Sequence, residues 1–164
     1  MLKSELERLV EHYLEEAYNH VFGRNSRSRD MAQAEVNFRE AAKLDRTGRS
    51  YYFLGRFFAD RNMSAECSEA MKAAGDAGFA PGLIWQIQDK CGGSCYGKLT
   101  EDELARLEKA ANDGYIRAKI FYMSNLKYVS FREGIKAGLQ IRRAKKHLKK
   151  VQASPEYKRN ELYW

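Results

Sequence analysis

Apolar residues recur every three or four positions over most of the chain, which is the period of an amphipathic α-helix. The first such stripe comprises Leu6, Leu9, Val10, Tyr13, Ala17 and Val21. Ser4 and Glu7 form a capping-box pattern at its start, and Gly23 follows its last apolar position. We therefore predict a first helix over residues 3–22 that ends at Gly23.

Polar capping residues and glycines divide the rest of the chain into further predicted helices. These run from Asp30 to Leu44, over residues 50–60, from Ser64 to Ala74, from Pro81 to about Asp89, from Glu101 to Ala111, from Tyr115 to about Tyr128, from about Ser130 onward, and from Pro155 to Trp164. Ser64 is expected to cap its helix, and Thr100 with Glu103 forms a second capping box. Both prolines of the chain lie where a helix can start, so the pattern favours an all-α protein.

Two stretches, residues 65–90 and 104–128, share one plan. In each, a helical segment ends in Lys-Ala-Ala, a glycine follows within four residues at Gly78 or Gly114, and an aromatic-rich helical segment begins. A third copy upstream runs from Ala41-Ala42 through Gly48 to the helix of residues 50–60. The second alanines of the three pairs are 32 and 37 residues apart. That spacing is typical of stacked two-helix repeats.

This pattern resembles the Sel1-like repeat, a relative of the tetratricopeptide repeat, over about residues 34–126. The residues that carry the resemblance are Tyr52, Leu54, Gly55, Phe58, Ala70, Met71, Lys72, Ala73, Ala74, Gly78 and Ala80, with Lys109, Ala110, Ala111, Gly114 and Ala118 repeating the second half. The Leu-Gly pair of the second helix survives only at Leu54-Gly55, so the copies are degenerate. The resemblance implies a right-handed α-solenoid whose members act as adaptors and scaffolds without catalysis of their own.

We accordingly predict a short right-handed α-solenoid of about three degenerate helix-turn-helix repeats in one domain over residues 1–164. Residues 1–30 are its N-terminal cap helix and loop, 31–130 its repeats, and 131–164 its basic C-terminal capping helices. A hydrophobic content of 44% is enough for a continuous core. No apolar run is long enough to span a membrane, and the N-terminus lacks a signal-peptide pattern, so we expect a cytoplasmic protein without membrane insertion.

Charge is distributed unevenly along the chain. Residues 115–164 hold 13 Lys or Arg and 3 Asp or Glu, a net charge of +10, whereas residues 1–114 have a net charge of −3. The densest cationic cluster comprises Arg142, Arg143, Lys145, Lys146, Lys149 and Lys150. It is either a solvated end of a helix, a face that meets an acidic protein partner, or a face that contacts nucleic-acid phosphates. An anionic membrane surface would need bulky apolar residues beside these cations, which the exposed face lacks.

Aromatic residues supply the second set of candidate contacts. The helix of residues 50–60 carries more aromatic positions than one face can bury, so Tyr51 and Tyr52 either line a partner groove or are buried by neighbouring repeats. Tyr122 is placed in the same predicted groove. Trp85 is expected in the core. The arginine-bearing loop from Asn25 to Asp30 is either a contact site or a solvated connector.

The least regular stretch is residues 90–98, which contains Cys91, Cys95 and three glycines. A metal site there would need further ligands at suitable spacing, a disulfide would need an oxidising compartment, and a phosphate-binding loop would need a preceding strand. A flexible loop between repeats needs none of these. We predict no metal and no cofactor.

The chain also lacks the motifs of common enzyme classes, and its three histidines are scattered between residues 12 and 147. We therefore expect a non-catalytic module that binds another protein with an acidic surface. A nucleic-acid-binding role for the same basic face is the alternative, ranked lower because no helix-turn-helix, RNP-type or zinc-finger pattern is present.

Overall fold

The computed structural model describes residues 4–26, 28–93, 99–126 and 131–152. Within these ranges it contains eight α-helices and no β-strand. They are α1 (Glu5–Phe22), α2 (Met31–Leu44), α3 (Arg49–Ala59), α4 (Ser64–Asp76), α5 (Ala80–Lys90), α6 (Glu101–Asn112), α7 (Ile116–Leu126) and α8 (Phe131–Gln152). The all-α prediction is confirmed, whereas the solenoid arrangement and the capping helices stay predictions. The helix expected from Pro155 lies outside the described residues.

The chain divides into two compact units, Met1–Gly82 and Leu83–Trp164. In the first unit, α2 packs against α1 and α3, and α3 packs against α4. In the second unit, α7 packs against both α6 and α8. Each unit has its own buried apolar residues, which in the second include Leu107, Ala118, Ile120 and Ile141.

Both predicted capping boxes are present. The Ser4 hydroxyl accepts from the Glu7 N–H at 3.2 Å, and the Glu7 carboxylate accepts from the Ser4 N–H at 3.0 Å. Thr100 and Glu103 repeat the arrangement at 3.2 and 2.7 Å. Gly23 adopts the left-handed conformation that ends α1, as predicted. These local signals therefore fix the start of α1, the end of α1 and the start of α6.

The prediction that Ser64 caps α4 is wrong. Ser64 is the first helical residue, and the cap position belongs to Met63, which makes no side-chain cap hydrogen bond. The turn after α3 closes when the Met63 N–H donates to the Phe58 carbonyl at 3.0 Å. Hydrogen bonding within this turn, rather than a serine cap, therefore sets the start of α4.

The start of α3 is capped from outside the helix. Its cap residue, Gly48, has no side chain that could accept a hydrogen bond. The Asp45 carboxylate takes this role and accepts from the Ser50 N–H at 2.7 Å. The same carboxylate accepts from the Thr47 N–H at 2.8 Å and the Thr47 hydroxyl at 2.7 Å. Partial burial alone would raise the pKa of Asp45, but these hydrogen bonds from Thr47 and Ser50 outweigh it and hold the pKa below its usual value.

Replacing this cap is expected to destabilise the fold in a pH-dependent way. We expect Asp45→Ala to lower the free energy of unfolding by about 1–2 kcal/mol at pH 7, the usual cost of a lost cap. Because folding lowers the pKa of Asp45, the contribution is present above the unfolded value of about 3.9 and is lost as the pH falls through the folded value. Urea unfolding at a series of pH values checks this. Asp45→Asn is the control, since it keeps an acceptor but cannot titrate. A loss that is the same for both variants at every pH would contradict the role of the carboxylate.

The turns that follow α4 and α6 are built alike. Gly78 and Gly114 both have positive φ, and each N–H donates to the carbonyl three residues earlier. The next N–H donates five residues back in both turns, from Phe79 to Ala74 at 3.0 Å and from Tyr115 to Ala110 at 3.1 Å. The turns therefore align with a spacing of 36 residues, one less than the 37 that separate the second alanines of the two pairs. Ala110 is the counterpart of Ala74.

Candidate partner-binding surface

The six predicted basic residues lie together on α8. Arg142, Arg143, Lys145, Lys146, Lys149 and Lys150 are all exposed. Apolar residues also recur at helical spacing along α8, and this stripe faces inward at its described positions, with Ile141 7% exposed and Ala144 half-buried. The described side chains of this helix include no acidic residue. The C-terminal half of α8 is therefore a continuous cationic surface, which we call the basic face and define by these six residues.

The basic face has no internal counter-charge in the described part of the chain. None of its six side chains forms an ion pair or a hydrogen bond with another residue there. Basic residues elsewhere are commonly paired, such as Arg49 with Glu11 at 2.6 Å and Lys90 with Glu103 at 2.8 Å. The six cations of the basic face are thus available to an external anion.

Helix geometry separates the basic face into two edges. Arg143 shares one edge with Gln140 and His147, at spacings of three and four residues. Arg142, Lys145 and Lys149 share the opposite edge at the same spacings. Ile141 and Ala144 lie between the edges on the inner side, so the edges are matched in spacing but look in different directions.

The edge that carries Arg143 borders an open groove of about 570 Å³. We call it the α7–α8 groove, and its lining residues are Ala111, Gly114, Tyr115, Ile116, Lys119, Gln140, Arg143, Ala144 and His147. They come from the end of α6, the α6–α7 turn, the first turns of α7, and α8. None of these described lining residues is acidic, whereas Lys119 and Arg143 are cationic. Packing of α8 on α7 thus brings cations from two helices to one cavity.

The three predicted aromatic contacts have different environments. Tyr51 and Tyr52 are half-buried on α3, in the unit Met1–Gly82, and Tyr122 is half-buried on α7, in the other unit. The Tyr52 ring packs against Phe53 and Phe79 at centroid distances of 5.9 and 5.5 Å, so part of its surface serves the fold. The buried aromatic residues of α3 are Phe53, Phe57 and Phe58, whose side chains are 2–8% exposed. Trp85, expected in the core, is only half-buried.

Of the two cysteines in residues 90–98, the structure describes only Cys91. Cys91 is a free, half-buried thiol, and Cys95 lies outside the described residues, so the alternative of a disulfide between them is not tested. Burial raises the pKa of the Cys67 thiol on α4, which keeps it protonated.

Where the structure describes the chain, no three His, Cys, Asp or Glu residues cluster closely enough to hold a metal ion. No helix in those ranges is long and apolar enough to cross a membrane.

The loop from Asn25 to Asp30 has a structural role. Asn25 has positive φ, and its side-chain amide donates to the side-chain oxygen of Asn19 at 3.2 Å. Asp30 caps α2 by accepting from the Gln33 N–H at 3.0 Å, as predicted. Arg27 lies outside the described residues.

Comparison with known proteins gives no match to a family model, a curated protein or a solved structure. A function for this chain must therefore be inferred from the geometry of its surface. Sequence reasoning located the basic face but missed the α7–α8 groove. The spacing of Gln140, Arg143 and His147 along one helix edge was visible in the sequence, whereas their proximity to Lys119 required the packing of α7 on α8.

Proposed function

We propose that this protein is a short α-solenoid of Sel1-like two-helix repeats that acts as a non-catalytic adaptor, scaffold or regulator. Its partner is another protein that presents an acidic surface. Two features support the solenoid: the hydrogen-bonding pattern shared by the turns at Gly78 and Gly114, and the 36-residue spacing between them. Repeats of this kind stack to form extended binding surfaces.

The observation that carries the proposal is the uncompensated charge of the basic face. Six exposed Lys and Arg side chains on one helix repel one another and are stabilised when an anionic partner is near. Such a surface accelerates association by electrostatic steering and gives orientation more than affinity. Contacts other than long-range steering must then supply specificity, and Tyr51, Tyr52 and Tyr122 are candidates for that role because partly exposed aromatic rings are frequent anchors.

The experiment that tests this proposal is a pull-down from source-cell lysate with the full chain, with and without nuclease and at two salt concentrations, followed by mass spectrometry. We expect a stoichiometric protein that survives nuclease treatment and is reduced at higher salt. The variant Lys145→Glu/Lys146→Glu/Lys149→Glu/Lys150→Glu should recover clearly less of it, and the matched variant with arginine at all four positions should recover as much as the wild type.

With the purified partner, the glutamate variant should associate about tenfold more slowly at low salt, because steering is lost. Stopped-flow binding measures this rate, and far-UV circular dichroism checks that helicity is unchanged. Unchanged association at low salt would refute the electrostatic part of the proposal.

The same cations favour one second candidate, binding of nucleic-acid phosphates. Phosphate contacts give affinity without sequence information and weaken steeply as salt rises. Recovery of nucleic acid that disappears after nuclease treatment, with no stoichiometric protein, would make this the function of the basic face.

A further inference from the structure

We propose that the α7–α8 groove binds a short acidic segment of the partner, with carboxylates placed between Lys119 and Arg143. This inference rests on the proposed function, which it refines from a charged helix to a defined cavity. It also assigns different roles to the two edges of the basic face. The edge with Arg143 recognises the segment, whereas the edge with Arg142, Lys145 and Lys149 supplies long-range attraction.

The groove has enough room for part of a short peptide segment. Its volume of about 570 Å³ lies in the range of sites that enclose a small ligand or a few side chains. Ala111, Ile116 and Ala144 give it an apolar lining against which the aliphatic parts of a peptide can pack. The Ala144 side chain is small, so α8 leaves open space beside α7 where a larger residue would fill it.

Charge selects the chemistry of the occupant. Lys119 on α7 and Arg143 on α8 are both exposed, and neither forms an ion pair within the described chain. His147 and Gln140 add hydrogen-bonding groups along the same edge of α8. With two cations and no carboxylate among its described lining residues, the groove is complementary to carboxylates and would repel a basic segment. The positive end of the α7 dipole, at Ile116, adds to this preference.

A peptide fits these observations better than a nucleic-acid strand. Surfaces that bind single strands combine a cationic track with aromatic rings on which successive bases stack. Tyr115 is the one Phe, Tyr or Trp residue of the described lining, and it already takes part in another interaction. Duplex binding would use the outer cations of α8 as a group and would not depend on a cavity.

The test compares two double charge reversals in the full-length protein. Lys119→Glu/Arg143→Glu changes the groove, and Lys145→Glu/Lys149→Glu changes the opposite edge by the same total charge. The probe is a fluorescein-labelled dodecapeptide of alternating Glu and Ala, and its affinity is measured by fluorescence anisotropy near physiological salt. We expect the groove variant to bind at least about tenfold more weakly and the opposite-edge variant to change by less than about threefold.

Nuclear magnetic resonance locates the peptide independently of these variants. In the wild-type protein, amide signals of Gly114, Ile116, Lys119 and Ala144 should shift on titration, while those of Lys145 and Lys149 should shift less. A peptide of alternating Lys and Ala should cause none of these shifts. Circular dichroism confirms that both charge variants remain helical.

Several results would overturn the inference. Equal losses in the two variants would mean that the peptide is held by diffuse charge, and absence of saturable binding would mean that the groove takes no acidic segment. Tighter binding of an oligothymidylate of the same length, with the same dependence on Lys119 and Arg143, would assign the groove to nucleic acid. In the first two cases, a protein partner still captured from lysate through the basic face would leave the proposed function standing.

Discussion

Phe38→Ala is expected to lower the free energy of unfolding by about 3–5 kcal/mol, the usual cost of truncating a fully buried Phe. Phe38 is 1% exposed, and its ring contacts Tyr18 edge-to-face and Phe57 at a tilt, both at a centroid distance of 5.3 Å. The substitution removes both ring contacts and leaves a cavity among α1, α2 and α3. Since a domain has a stability of only about 5–15 kcal/mol, this loss is a large part of the total.

Phe22 offers the matched control, because it is also a phenylalanine beside Tyr18 but is 57% exposed. Its ring stacks on Tyr18 at 6.2 Å and lies under the Arg24 guanidinium at 4.7 Å, both of them surface contacts. We expect Phe22→Ala to cost less than about 1 kcal/mol. Urea unfolding followed by far-UV circular dichroism measures both variants. Losses of similar size would mean that the aromatic cluster around Phe38 is not packed in solution.

Arginine side chains cover the edges of the same aromatic cluster, a feature that sequence patterns do not reveal. Arg39, Arg49 and Arg61 lie over the rings of Phe58, Phe53 and Phe57 at 5.3–5.4 Å. Their guanidinium groups stay in contact with water while their stems cover apolar surface. These contacts cover the buried phenylalanines of α3, whereas the two alternatives for Tyr51 and Tyr52, burial by neighbouring repeats or a partner groove, stay open.

The fold was predictable where a signal acts within a few residues. The caps at Ser4, Asp30 and Thr100 and the glycine at the end of α1 depend on local hydrogen bonds, and the structure confirms each of them. The cap of α3 was missed because Asp45 acts across five residues on a helix whose own cap is Gly48. The prediction that Ser64 caps α4 was wrong because hydrogen bonding in the turn before Ser64 sets the start of the helix.

In the candidate site, too, the part that depends on one helix was predictable and the part that depends on packing was not. The exposure of Lys146 and Lys150 follows from the apolar stripe on the opposite side of one helix, so the sequence could place the basic face. The α7–α8 groove depends on how far α8 stands from the start of α7, which is a property of packing. Lys119 lies far from the cationic cluster in the sequence, and the packing of α8 on α7 places it in the lining of the same groove as Arg143.

Close approach of helices at small residues gives the second large expected effect. Gly82, in the first turn of α5, lies against the end of α4: a Cβ atom at this position would come within 2.5 Å of the Gly75 nitrogen and 2.6 Å of the Ala74 Cβ. Backbone atoms cannot move aside as a flexible side chain can, so Gly82→Ala forces the start of α5 away from the end of α4. We expect it to lower the free energy of unfolding by about 2–3 kcal/mol despite the higher helix propensity of alanine.

Gly55 in α3 is the control, because it is also a helical glycine in close contact with a neighbouring helix. A Cβ atom there would meet only the Met71 side chain, at 3.0–3.2 Å, and methionine can change rotamer to make room. We expect Gly55→Ala to change stability by less than about 1 kcal/mol, since the gain in helix propensity offsets the small repacking. Thermal and urea unfolding of both variants check the difference. Similar effects of the two substitutions would contradict the close crossing at Gly82 and Ala74, and with it the role of small residues in the predicted repeat.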